Sequence, residues 1–112
     1  MADLDRSEQN APSAEAREED GITVIVLAGD LDMTNVKHVS AVVDAALDGR
    51  PRTLILDASG LTYMDSSGVA LMAQTTRLFQ AVQVRNPTPI VRRLLELTGL
   101  SQILQIIDEN QP

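Results

Sequence analysis

The chain has 112 residues and a formal charge of −7, a length that suits one domain built around one core. It has no cysteine and a single histidine, His38, which excludes a disulfide framework, a thiolate nucleophile and a zinc site made of cysteines or of a histidine pair. Seven of the sixteen acidic residues lie within residues 1–20 against Arg6 and Arg17; the nearly neutral remainder lacks the basic surface that nucleic acid demands.

Tyr63 and Phe79 are the only aromatic residues, so the core must be assembled from Val, Leu, Ile, Met and Ala. The apolar runs fall far short of the ~20 residues that cross a bilayer, and the N-terminus is acidic where a signal peptide would be basic. A cytoplasmic protein without a membrane partner is expected. Residues 1–13 mix polar and small residues and a proline without periodicity, the pattern of a disordered acidic leader ahead of a domain over 14–112.

In chain order, Ala14 to Glu18 reads as a weak edge strand, and Asp20-Gly21 favours a tight hairpin turn. The β-branched density of Ile22 to Ala28 suits a strand buried on both faces. Gly29-Asp30-Leu31-Asp32 reads as a polar loop. Val36, Val39, Val43, Ala46 and Leu47 then recur at helical spacing, and Gly49 with Pro51 closes that helix. Thr53 to Leu56 is a short apolar strand ending at Asp57, and a loop through Gly60, Leu61 and Tyr63 leads to Asp65-Ser66-Ser67-Gly68. A second helix follows, with Gly68, Met72, Thr75 and Phe79 on one face and Leu71 and Leu78 beside them.

Ala81 to Val84 reads as a third strand. Thr88 and Pro89 then suit the N-cap and first position of a third helix, which is expected to bury Ile90, Val91, Leu94, Leu95 and Leu97 and to stop at Gly99. Ile103 to Ile107 is a last strand or an apolar closing segment. Strands alternating with helices predict an α/β fold: a mainly parallel sheet of about four to five strands with helices packed on it. The functional loops of such a sheet gather at the carboxyl ends of its strands, which would bring Gly29 to Asp32 and Leu61 to Gly68 to one surface.

The local chemistry of Ser66 and Ser67 admits two readings. A serine at a helix start is a common N-cap, accepting a backbone N–H. The combination of Asp65, two serines and Gly68 also suits a phosphorylation switch, because a helix N-terminus offers unpaired N–H groups and glycine leaves room for another backbone or a phosphate. A hydrolase elbow would need Gly-x-Ser-x-Gly and a histidine, and position 64 is Met while His38 lies inside the first helix. Phosphate-binding glycine loops are absent, so neither an enzyme nor a cofactor or metal is expected. Asp30 and Asp32 are either acids complementing a helix dipole or docking groups that pair with a partner's arginine or orient a kinase's phosphate through Mg²⁺. Asp65 is likewise a helix-start residue or part of a recognition epitope.

The stretch from Leu54 through Asp57-Ala58-Ser59-Gly60-Leu61-Thr62-Tyr63-Met64-Asp65-Ser66-Ser67-Gly68 to Val69 closely resembles the central motif of STAS domains, especially bacterial anti-sigma factor antagonists. Gly29-Asp30-Leu31-Asp32 is similar to the family's Gly-Glu-Leu-Asp turn, and Val91-Arg92-Arg93-Leu94-Leu95-Glu96-Leu97-Thr98-Gly99-Leu100 to its third helix. The resemblance covers residues from about 14 to 107. It departs where Leu78-Phe79-Gln80 runs straight into Ala81-Val82, without the family's basic, glycine-containing turn, so a shortened second helix or a tight connection is expected.

The resemblance implies partner switching. The unphosphorylated antagonist binds an anti-sigma factor of the histidine-kinase-like ATPase type and frees its sigma factor; that kinase phosphorylates a serine and turns the antagonist off, and a PP2C-type phosphatase restores it. The phosphoacceptor maps to Ser66, with Ser67 as the alternative, and the supporting acid of the turn to Asp32. Asp30, Asp32, Asp65, Ser66, Ser67 and Gly68 form the expected docking set on a monomer or weak dimer. STAS domains also serve in transport and signalling complexes without such a switch, which is the alternative.

Overall fold

The asymmetry between the two ends of the central strands decides what this fold presents to solvent. A computed structural model describes residues 13–47 and 52–109. Along them run β1 (Ala14–Glu19), β2 (Ile22–Leu31), α1 (Val36–Leu47), β3 (Thr53–Met64), α2 (Ser66–Leu78), β4 (Ala81–Arg85), α3 (Pro89–Leu97), a 3₁₀ turn (Leu100–Gln102) and β5 (Gln105–Ile107). The expected leader, apart from Ser13, and the helix-closing Gly49 and Pro51 lie outside the described residues.

The five strands form one sheet in the order β1-β2-β3-β4-β5. β1 and β2 are the antiparallel hairpin that Asp20-Gly21 predicts, both turn residues having positive φ. β2, β3, β4 and β5 run parallel, each pair joined through one of the helices, as parallel neighbours require. The fold is thus a single α/β domain with three helices, as the alternation of periods predicts.

Ile25, Leu56 and Val84 lie in register across β2, β3 and β4. Their face carries the main core, which takes Val39 and Val43 from α1, Leu71 and Met72 from α2, and Val91 and Leu95 from α3. Among the described residues no helix adds to the core from the opposite face, yet Val24 and Ile55 are buried there, so the expected two-sided burial of β2 holds over its central residues. Arg85 of β4 donates to Glu19 of β1 at 2.9 Å and to Asp57 of β3 at 3.0 Å. Because β2 and β3 separate β1 from β4, the Arg85–Glu19 pair spans this open face.

Several expected boundaries move. Gly29-Asp30-Leu31 is the end of β2 rather than a loop, and β3 continues past Asp57 to Met64. The cause is a pair of bulges. Val26 to Ala28 advances two residues while its partner advances from Asp57 to Gly60, and Gly29 to Asp30 advances one against Leu61 to Tyr63. Extra residues in β3 interrupt the period of two by which a strand is recognised, and the Ser59 N–H and hydroxyl, both bonded to Asp57 Oδ1, fasten the first bulge.

In α3 only Val91 and Leu95 are buried; Leu94 is half-buried, and Ile90 and Leu97 are exposed because just one side of the helix meets the sheet. The last strand is shorter than Ile103 to Ile107, with Ile103 exposed beyond the 3₁₀ turn. α2 runs through 13 residues, and the connection to β4 is the tight one, with Phe79 buried and the Gln80 N–H bonded to Arg52 O.

Candidate functional site

The two bulges lengthen β3 so that its end, and the start of α2, arrive beside the end of β2. Tyr63 pairs with Asp30 and Met64 with Leu31, and the Asp65 N–H then donates to Leu31 O at 3.1 Å. The Gly29–Asp32 and Leu61–Gly68 segments therefore meet at the carboxyl end of the parallel strands, where the topology places functional groups.

Asp65 is the N-cap of α2. Its extended backbone turns the carboxylate over the helix start, where Oδ1 accepts the Ser67 N–H at 2.8 Å and the Gly68 N–H at 3.3 Å. The expectation that a serine caps this helix is thereby corrected: an ionised acid at the positive end of the dipole outcompetes a neutral hydroxyl for the same donors. Ser66, the first residue of α2, is exposed and its hydroxyl takes no part in capping, while Ser67 is half-buried. Two of the N–H groups at this helix start are thus occupied by Asp65.

Gly68 is buried, and a Cβ there would stand 2.9 Å from Leu31 Cγ and 2.9 Å from Met64 Cβ. The room it leaves is filled by β2. Its missing side chain is what lets Leu31 come against the helix and holds the two segments together.

At the other segment, Asp32 is half-buried. Its Oδ1 accepts the Thr34 hydroxyl and the Thr34 N–H at 2.9 Å, and these bonds hold its carboxyl below the usual carboxylate range. Asp30 is exposed and its carboxylate accepts the Thr62 hydroxyl across to β3. Among the described residues no three acidic or histidine side chains are grouped to hold a metal ion. His38 is exposed and lines a different feature, the groove between β1 and α1, together with Ala16 and Arg17.

Sequence reasoning missed Asn35. Its Oδ1 accepts the Asp32 N–H at 3.0 Å, and its Nδ2 donates to Asp30 O at 2.8 Å and to Ser13 Oγ at 3.1 Å. One amide thus ties the acidic turn to the start of β1. Its place just ahead of the first periodic residue of α1 was the available signal, since asparagine there bonds neighbouring backbone. Met33 and Tyr63 were missed as surface groups: they are 74% and 43% exposed and put apolar area among the acids. Thr88 stands at the N-cap of α3 as expected, but its hydroxyl donates to Leu61 O at 3.1 Å instead of capping, which brings exposed Ile90 to the same end of β3.

Known proteins share this fold. An anti-sigma F factor antagonist of Lysinibacillus sphaericus is 37% identical over 93 residues, covering 79% of this chain and 80% of that protein. The structure of the anti-sigma factor antagonist SpoIIAA in its unphosphorylated form superposes with a TM-score of 0.73 at 28% identity, over 88% of this chain and 89% of that one. The Bacillus cell fate determinant SpoIIAA in its phosphorylated form gives a TM-score of 0.68 at 27% identity, over 88% and 92%. No helix among the described residues is long and apolar enough to cross a membrane. The profile described as STAS domain matches residues 13–111, and the chain, with its five-stranded sheet and its Asp-Ser-Ser-Gly helix start, belongs to that family.

Proposed function

We propose that this protein is a cytoplasmic anti-sigma factor antagonist that works by binding and catalyses no reaction. In its unphosphorylated form it docks onto an anti-sigma factor through Asp30, Asp32, Asp65, Ser66 and Ser67, on a surface held together at Gly68, and a sigma factor is released. The anti-sigma factor is a serine kinase of the histidine-kinase-like ATPase type; it phosphorylates Ser66 and ends the interaction, and a PP2C-type phosphatase reverses the modification.

The observation that carries this reading is Ser66 itself: exposed, unused in capping, at the first position of α2 and beside the acidic turn of β2. The names of the relatives agree with it. A phosphate on Ser66 adds roughly −1.5 to −2 charges. With the Ser67 and Gly68 N–H groups bonded to Asp65, that charge is not drawn into the helix start and stays on the docking surface next to a carboxylate. Phosphorylation then opposes docking by repulsion and desolvation without refolding the domain.

Incubation with the anti-sigma factor recovered by pull-down and ATP is expected to add one phosphate, seen by intact-mass spectrometry, that is lost in Ser66→Ala. Ser66→Asp should weaken the complex. Full phosphorylation of Ser66→Ala would move the acceptor to Ser67, and absence of any complex with an anti-sigma factor would overturn the reading.

A further inference from the structure

The surface built by Asp30, Asp32 and Asp65 is acidic, with one exception. Lys37 is the single lysine of the chain. It sits exposed in the first turn of α1 and lines a cleft of about 220 Å³ between α1 and α2, together with Val36, Ser40, Ser67, Leu71 and Gln74. Ser67 is both a wall of this cleft and the neighbour of Ser66, so the cleft adjoins the candidate phosphorylation site directly.

Three arginines of the described chain are held in pairs: Arg85 by Glu19, Asp57 and Glu109, Arg92 by Asp108, and Arg93 by Glu96. Lys37 is in no ion pair among the described residues. A lone ammonium beside an apolar floor of Val36 and Leu71, rimmed by hydroxyls and an amide, suits a carboxylate on a short apolar stem.

We propose that the α1–α2 cleft is a specificity pocket for an acidic side chain, Asp or Glu, of the anti-sigma factor, with Lys37 as its counter-ion. This deepens the antagonist reading and rests on it. The acids of β2 and α2 call for cations on the partner, and Lys37 calls for an anion at a fixed offset from them. Such a mixed pattern sets register and rejects partners that are uniformly basic, through the repulsion they would meet at Lys37. An exposed pair of this kind adds modest affinity alone, while reversing its sign sets like charges against each other and costs more.

The test is affinity for the anti-sigma factor recovered by pull-down, measured by titration calorimetry on the full chain at low and at physiological salt. Lys37→Glu is expected to weaken binding by roughly tenfold at low salt, with the loss shrinking as salt is raised. Lys37→Arg should retain affinity, and Arg77→Glu, at the far end of α2, should leave it unchanged. Thermal melts that coincide with the parent protein exclude a folding effect. Equal affinity of Lys37→Glu and parent would overturn the pocket while leaving the antagonist reading intact; failure of the parent to bind any anti-sigma factor would remove that reading itself.

Discussion

Asp65 shows how much one side chain decides at the start of α2. By taking the Ser67 and Gly68 N–H groups it satisfies two of the helix's orphan donors, and it leaves the Ser66 hydroxyl out of the cap. Asp65→Ala is therefore expected to lower stability by about 1 kcal/mol, read as a drop of several degrees in Tm, and Asp65→Asn to recover most of it through the remaining side-chain oxygen. If Asp65→Ala melts with the parent, the cap contributes nothing. The residue types of this site were legible in the sequence, because Asp-Ser-Ser-Gly at the head of an apolar period marks a helix start. Which of them caps was not, since Asp65 and both serines are all good N-cap residues and only the backbone path chooses.

Between elements, the decisive contact is the one that joins β2 to α2. Leu31 fits against Gly68 with no space for a methyl group: the nearest side-chain atoms to a Cβ there are at 2.9 Å and Leu31 O is at 3.0 Å. Gly68→Ala should destabilise by about 1–3 kcal/mol through overpacking, a change measurable by chemical denaturation. It should also separate the acidic turn from Ser66. A denaturation curve matching the parent would mean that Leu31 and Met64 move aside freely. The lengths of β2 and β3 escaped sequence reading for a related reason. Asp57, Ser59 and Gly60 look like loop residues, and it is the neighbouring strand, pairing across two bulges, that makes them part of a sheet. The outward side chains of α3 escaped as well: Ile90 and Leu97 obey the helical period loosely enough to count as core until the sheet's position shows them exposed.

Across the whole molecule, Arg85 links strands that are far apart in sequence, reaching Glu19, Asp57 and Glu109 from β4. Its hydrogen bond to Glu19 leads the effects that raise its own pKa. Burial opposes the ionisation of Asp57, but the Ser59 bonds and the guanidinium prevail, and its carboxyl titrates below its ordinary value, as does that of Glu19 beside Arg85. Carboxylates with lowered pKa values stabilise the fold above their unfolded pKa values and cease to as protons bind the native state. Stability should thus fall as pH drops below about 5 toward 3, and Arg85→Met should flatten that part of the curve as well as lowering stability at neutral pH. A parallel pair of stability–pH curves for parent and variant would show that the network does not govern acid sensitivity.

The order of periods along the chain by itself determined an α/β domain, because runs of β-branched residues alternate with apolar stripes of period 3.6, and each stripe must find a sheet to pack on. The Asp20-Gly21 hairpin, the Pro89 helix start and the candidate acids and serines were likewise readable, since each depends on residues adjacent in sequence. Tertiary structure alone decided the rest. It extended β2 and β3 through bulges, chose Asp65 over the serines as cap, tied Asp32 to Ser13 through Asn35, and opened the Lys37 cleft between two helices. All of these depend on groups brought together from separate segments, where the free energy of pairing and packing outweighs local preference.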